Sequence, residues 1–283
     1  MKTGLSLFHN RILSIVTMHG KEKVISPLME QELKVSCRVI EGLNTDKFGA
    51  FSGEYERSGT PLEVARKKAE AALDLSKYNL AFSSEGSFGP HPSLGFIPAD
   101  EEIVFLLDKL HKLEFKGYYL TEHTNFSHLE VQAIEEVKSF CDQAGFPEHG
   151  IILKASKADT VTLIYKDLTS FGQLESKTDE YLKKGYSIQL ETDMRAMRNP
   201  TRMEAIRHAT LNLIEGLKSE CPNCSFPGFS ISDVERGLEC ELCQRPTRLV
   251  KAQLFSCQNC DYKEKRSTEQ EYADAMYCDF CNP

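Results

Sequence analysis

The chain has 283 residues, is 41% hydrophobic and carries a formal net charge of −8 with histidines neutral. That length suits one large domain plus a small one, and the acidic balance argues against a general affinity for nucleic acid or an anionic membrane surface. No apolar stretch approaches the ~18–20 residues a membrane span requires, and His9, Asn10 and Arg11 interrupt the apolar start, so no cleaved leader is read and a cytoplasmic location is expected.

In chain order, Ile12–Thr17 reads as a buried strand running into a polar turn. EKVISPLMEQEL has helical spacing at Val24, Leu28 and Leu33, with Pro27 acceptable only near the first turn. KVSCRVI is a second strand, followed by a loop in which Gly42, Gly49, Gly53 and Gly59 recur. TPLEVARKKAEAALDLSKY is the strongest helix. Thr60 is its N-cap, Pro61 suits the first helical position and Glu63 completes a capping box. Its face of Leu62, Ala65, Ala69, Ala72 and Leu73 is narrow enough to lie close on a sheet. NLAFSS is a buried strand, and SSEGSFGPHP (83–92), dense in glycine and proline, is expected to be its exit turn.

EIVFLLDK and EFKGYYLTEH read as a strand pair turning at Lys109–Leu113. HLEVQAIEEVKSFCDQAG reads as an amphipathic helix, GIILKAS and TVTLIYKDL as another strand pair, LESKTDEYLKKG as a short helix and YSIQLET as a strand. The last helix is NPTRMEAIRHATLNLIEGL, with Thr201 and Glu204 as a second capping box. This alternation predicts an α/β domain, a mixed sheet flanked by helices, over residues 10–217.

From 218 to 283 the texture changes. Cys221, Cys224, Cys240, Cys243, Cys257, Cys260, Cys278 and Cys281 form four CxxC pairs, with fifteen residues between CPNC and CELC and seventeen between CQNC and CDFC. A CxxC turn sets two thiolates on one side of an ion, and two such turns complete a tetrahedron, so two structural zinc ions are expected. A tail of this size with few large apolar residues depends on such staples. Successive ribbons, the first four cysteines on one ion and the last four on the other, are the favoured pairing; a cross-brace of first with third and second with fourth is the alternative. Cys37 and Cys141 stand apart and read as small buried apolar residues. Residues 221–283 hold seven Lys and Arg against ten Asp and Glu. The tail therefore reads as a cap or protein-docking module, not a nonspecific nucleic-acid clamp.

KEKVISPLMEQEL, TDKFGAFSGEYER, SSEGSFGPHP, ETDMRAMRNPTRM and the CPNC…CELC tail together resemble an uncharacterised bacterial family, domain of unknown function 6671, over nearly the whole chain. The resemblance implies one cytosolic protein and no established activity. The N-terminal half also resembles, remotely, the house-cleaning inosine and xanthosine triphosphate pyrophosphatases. VTMHGKEK stands where they carry a Thr/Ser-x-Asn-x-x-Lys turn, LEVARKKAEAA is similar to their alanine-and-lysine helix, and SSEGSFG to their acidic-glycine turn. His19 replaces the asparagine and the lysine register is off by one residue. That resemblance implies hydrolysis of non-standard purine triphosphates.

The residues can be weighed on their own chemistry. Phosphoanhydride hydrolysis needs charge neutralisation, a positioned water and usually Mg2+, which takes one or two carboxylates beside substrate phosphates. Glu85 is the foremost carboxylate, Asp46 and Glu54 the next. His91, rigid between two prolines, is a candidate acid, base or ligand. Lys21, Lys23, Arg57 and Lys67 are the cations to face phosphate, and Gly86 and Gly89 allow close backbone approach to an anion. His123 and His128 carry little weight as zinc ligands. Arg195, Arg198 and Arg202 gather at a helix start, where the dipole disfavours them. They require a carboxylate, Glu191 or Asp193, or a bound phosphate. Each residue alone has an ordinary structural reading as turn, cap or solvated charge. No Walker loop, GxGxxG or G-x-S-x-G is present. The leading function is a metal-dependent nucleotide hydrolase or nucleotide-binding protein; the competing one is a non-enzymatic module that docks a protein through its cysteine tail.

Overall fold

The computed structural model describes residues 4–48, 59–158 and 160–283. The chain forms two compact units, Asn10–Leu213 and the pairing of residues 4–9 with Ile214–Pro283. The larger unit is mixed α/β, as the alternation of strand and helix patterns predicts.

Its first sheet has the order β2-β1-β3-β4-β5, built from β1 (Ile12–Ile15), β2 (Ser36–Val39), β3 (Leu80–Pro90), β4 (Pro98–Asp108) and β5 (Leu113–Thr121). β1 runs parallel to both β2 and β3, the first crossover being α1 (Glu22–Leu33) and the second α2 (Pro61–Leu75). β3, β4 and β5 are antiparallel. α2 starts at the expected capping box: Thr60 Oγ1 accepts from Glu63 N–H and the Glu63 carboxylate accepts from Thr60 N–H. Its small residues Ala65 and Ala69 pack with Leu73 on Ala81 and Phe105. The opposite face of the sheet receives α5 (Pro200–Lys218). Gly117 on β5 pairs with Val104, and a Cβ added at Gly117 would lie 2.3 Å from the Ala209 carbonyl oxygen, so only glycine lets this helix sit so close. Asn199, not Thr201, caps α5: its side chain accepts from Arg202 N–H, with Pro200 in the first helical position. The Thr201 hydroxyl bonds His149 instead.

The second sheet, order β6-β9-β7-β8, is wholly antiparallel and comprises β6 (His128–Val131), β7 (Ile151–Lys157), β8 (Thr160–Tyr165) and β9 (Ser187–Thr192). One face, with Val131, Leu153, Ala155, Ile188 and Leu190, is buried with residues of α3 (Glu135–Ala144) and α4 (Phe171–Lys183). The alternate residues Ile152, Lys154, Gln189 and Glu191 face the other way.

Two expectations are corrected. The stretch 83–90 is not a turn; it continues β3 in unbroken register, from Leu80 opposite Asp108 to Pro90 opposite Pro98. Proline is tolerated there because it ends the strand, and the turn falls at residues 91–97. HLEV is strand β6 paired with β9, and the helix begins only at Glu135.

In the smaller unit β10 (Ser230–Arg236), β11 (Val250–Ser256) and β12 (Lys263–Ser267) form an antiparallel meander. No helix among the described residues is long and apolar enough to cross a membrane.

Replacing Gly117 with alanine is expected to lower the unfolding free energy by about 1–3 kcal/mol through overpacking against α5, read as a shifted urea midpoint with unchanged slope.

Candidate functional site

β1 ends at Ile15 opposite Phe82, whereas β3 runs eight residues further. Past that point β3 has lost its β1 neighbour, and a cavity of about 330 Å3 opens between this part of β3, the 16–21 turn and the helix-free face of the second sheet. Six basic side chains line it, Lys21, Lys68, Lys154, Lys166, Arg195 and Arg202, against three carboxylates, Glu85, Glu191 and Asp193. Val16, Met18, Phe88, Phe126 and Ile152 add apolar wall, and His19, Thr45, Ser84 and His128 add polar groups.

Most of these charges are matched. Lys68 Nζ lies 2.5 Å from Glu85 Oε2, with both side chains buried. Lys154 Nζ lies 2.7 Å from Glu191. Arg195 is held by Asp193 at 2.6 Å and by Asp167 at 2.9 Å. Arg202 Nε donates to Glu102 Oε1 at 2.6 Å, both groups essentially without solvent exposure. The Arg202 guanidinium also donates to the Met194 carbonyl and sits 5.0 Å from the Phe88 ring centre. It passes directly over Gly86, where a Cβ would lie 2.5 Å from Glu102 Oε1. Gly86 is therefore required by the neighbouring side chains, not by a ligand.

Behind the cavity wall Asp100 is fully buried, and among the described residues neither of its carboxylate oxygens has a hydrogen-bond partner. Burial, and next the Glu102 carboxylate, push its carboxyl up to about 8. Lys21 donates from Nζ to Ser84 Oγ at 2.9 Å. Burial, and then the Arg202 charge, pull its amine down to about 7.

The structure thus brings Lys21, Glu85, Arg195 and Arg202 to one cavity. Thr45 lines it too, in the same short turn as Asp46. The side chain of Asp46, with Glu54 and Arg57, lies outside the described residues. Other expected residues fall elsewhere. Lys23 and Lys67 are exposed and do not line the cavity. On α2 it is Lys68, three residues from Ala65 and four from Ala72, that shares the buried face. His91 organises the β3–β4 turn, its Nδ1 accepting from the N–H groups of Ser93 and Leu94 at 3.1 Å each. Gly89 faces open space. Arg198 holds Asp167 and the Leu168 carbonyl. Of the carboxylates expected to neutralise the arginines, Asp193 does so for Arg195, whereas Glu191 is taken by Lys154. Glu85 is not a vacant metal carboxylate, because Lys68 occupies it.

Ser84, Lys68, Lys154, Lys166 and the Asp100–Glu102 pair were not legible as candidates. The one local signal is alternation: a polar or charged residue at every second position of a strand that is otherwise buried, as in Gln189 and Glu191.

In the cysteine-rich unit the eight thiols form two groups: Cys221, Cys224, Cys257 and Cys260, and Cys240, Cys243, Cys278 and Cys281. This overturns the successive-ribbon pairing. The reason is the meander. β10 leads away from the first knuckle, and β11 returns antiparallel with Ser256 opposite Ser230, delivering Cys257 beside Cys221. β12 turns back again and sends the chain to the second knuckle, where Cys240 bridges to Ala273. Sulfur–sulfur distances across the groups are 3.7 Å for Cys221–Cys260 and Cys224–Cys257, and 3.9 and 3.5 Å for Cys240–Cys281 and Cys243–Cys278. Four sulfurs at about 2.3 Å from a tetrahedral ion lie about 3.8 Å apart, so the donor set fits. The Asn223 amide, followed by the Tyr262 N–H, pulls the Cys260 thiol down to about 6. Burial raises Cys257 to about 12. One thiolate suppresses the next until a cation neutralises them. Cys141 is buried and Cys37 half-buried, and burial pushes both up to about 11, as expected of inert thiols.

Fold and site together define an α/β protein that carries two four-cysteine groups able to hold metal ions. The chain belongs to the family described as a domain of unknown function, DUF6671, whose model matches residues 68–283. No curated protein and no solved structure matches the chain significantly.

The cross-brace makes a counting prediction. Cys224→Ser with Cys260→Ser should remove about one metal per chain, and Cys224→Ser with Cys243→Ser about two, measured by elemental analysis of purified protein; successive ribbons would reverse the two results.

Proposed function

We propose that the cavity binds a phosphorylated small molecule, with a nucleoside triphosphate as the leading class, and hydrolyses a phosphoanhydride in it with Mg2+. The observation that carries this reading is the excess of lining cations, five even with Lys21 set aside, over three carboxylates in a cavity with an aromatic and aliphatic wall. Cations match phosphate oxygens, and the Phe88 and Phe126 rings, 5.8 Å apart, offer surface to a base. The meeting of Lys21, Glu85 and the Thr45 turn in one place supports it, as does the resemblance to triphosphate pyrophosphatases. With Glu85 held by Lys68, Mg2+ enters chiefly on the substrate phosphates. We further infer that the four-cysteine groups hold zinc in a structural role, since neither leaves an open ligand position, and that the protein works in the cytosol.

Nucleoside triphosphates with Mg2+ should yield pyrophosphate or phosphate, and Lys154→Met should raise KM about tenfold, the loss of one phosphate contact of about 1.4 kcal/mol. Absence of both turnover and calorimetric binding with every nucleotide would remove the reading.

A second reading, protein docking, is favoured by one observation. Leu242 and Phe280 lie inside two CxxC knuckles of the second cysteine group and are 72% and 61% exposed, with Met276 at 60% nearby. Exposed apolar clusters of this kind mark interaction sites. The exposed acids Glu241, Asp274 and Asp279 lie within two residues of them in sequence, so the partner would offer apolar side chains with a basic rim. Proximity labelling in cells should lose the same proteins with Leu242→Asp and with Phe280→Asp while metal content stays at wild-type level; identical labelling would exclude this surface.

A further inference from the structure

Three cations and three carboxylates are buried around the cavity floor: Lys21, Lys68 and Arg202, and Glu85, Asp100 and Glu102. Lys68 is matched with Glu85 and Arg202 with Glu102. What remains is one amine and one carboxyl. Among the described residues Lys21 Nζ has a single hydrogen bond, to Ser84 Oγ, and no ion pair. Asp100 has no hydrogen-bond partner at either oxygen. A buried ammonium with a hydroxyl as sole partner, flanked by a guanidinium and a second ammonium, is destabilised by desolvation and by like charge. So is a buried carboxylate beside Glu102. Both costs vanish together when the amine is neutral and the carboxyl protonated.

We propose that Lys21 is the proton acceptor of the cavity: a neutral amine, aimed by Ser84, that takes a proton from the water attacking a bound phosphoryl group. This rests on the phosphoanhydride reading. One N–H of the amine is spent on Ser84, and its lone pair remains for the water. As the water oxygen forms its bond to phosphorus, its proton passes to Lys21 Nζ. The bond from phosphorus to the bridging oxygen breaks, and its electron pair leaves with the departing phosphate. The groups that face Lys21 are His19 and Thr17 from its own turn, Ser84 and Glu85 from β3, Lys68 from α2, Asp100 and Glu102 from β4, and Arg202 from α5. Of these, Arg202 and Lys68 disfavour protonation, and Glu102 and Glu85 favour it less strongly than burial opposes it. Lys68 and Arg202 are each tied to a carboxylate, Glu85 and Glu102.

Protein labelled with 13C at lysine Cε, with Lys21→Met to assign the signal, reports the titration directly. Lys21 should titrate near pH 7, more than two units below the exposed lysines, whose usual value is about 10.4. In the hydrolysis assay kcat should rise with pH through that same midpoint, because the base acts unprotonated. Lys21→Met and Lys21→Arg should each lower kcat at least about 100-fold with KM little changed. A Lys21 midpoint above pH 9, or variants that raise KM and leave kcat intact, would overturn the assignment and mark Lys21 as a phosphate contact. No turnover of any triphosphate by the wild type sinks the phosphoanhydride reading itself, whatever the titration shows.

Discussion

Arg202 is the side chain on which the geometry of the larger unit converges. It begins α5, yet its guanidinium reaches Glu102 on β4, the Met194 carbonyl after β9, the Phe88 ring on β3 and the space above Gly86. A buried charge held by several partners is costly to form and far more costly to break, because a lone Glu102 carboxylate would be left out of water, a loss of about 3–5 kcal/mol. This group links the two sheets, as does the contact of the Phe88 and Phe126 rings, and the cavity lies where they meet.

That constraint explains why the cavity combines rigidity with charge. Lys68 and Glu85 are joined across helix and strand, and Lys154 and Glu191 across two neighbouring strands of the second sheet. Such pairs hold long side chains in place before a ligand arrives, which lowers the entropy lost on binding. The cysteine-rich unit achieves order by another route. Its strands are short and mostly exposed, and its one aromatic core, Phe229 with Phe226, Phe255 and Tyr262, gathers around Cys221 and Cys257. The second cysteine group has exposed Leu242 and Phe280 beside it, so a metal held there would stand in for a core.

Local chemistry was legible wherever it acts within a few residues. The Thr60–Glu63 box, the β4–β5 turn and the four CxxC knuckles each declare themselves in a short window. Misreadings arose where a distant group decides. Gly86 and Gly89 look like turn glycines, but β4 pairs along their whole strand and Arg202 lies over Gly86. Lys67 and Lys68 differ only in which side of α2 meets the sheet. His91 looked poised for catalysis, whereas its ring accepts two backbone N–H groups of its own turn.

From sequence alone, the class of the protein is determined: an α/β unit followed by a cysteine module able to hold metal, because periodicity and CxxC spacing are properties of adjacent residues. Tertiary structure alone decides which thiols come together as one donor set, since the meander carries each knuckle past its neighbour to the next but one. It alone also leaves Lys21 without an ion pair and Asp100 without a hydrogen bond among the described residues, because pairing across eighty or a hundred residues depends on which strands become neighbours, and no local pattern records that.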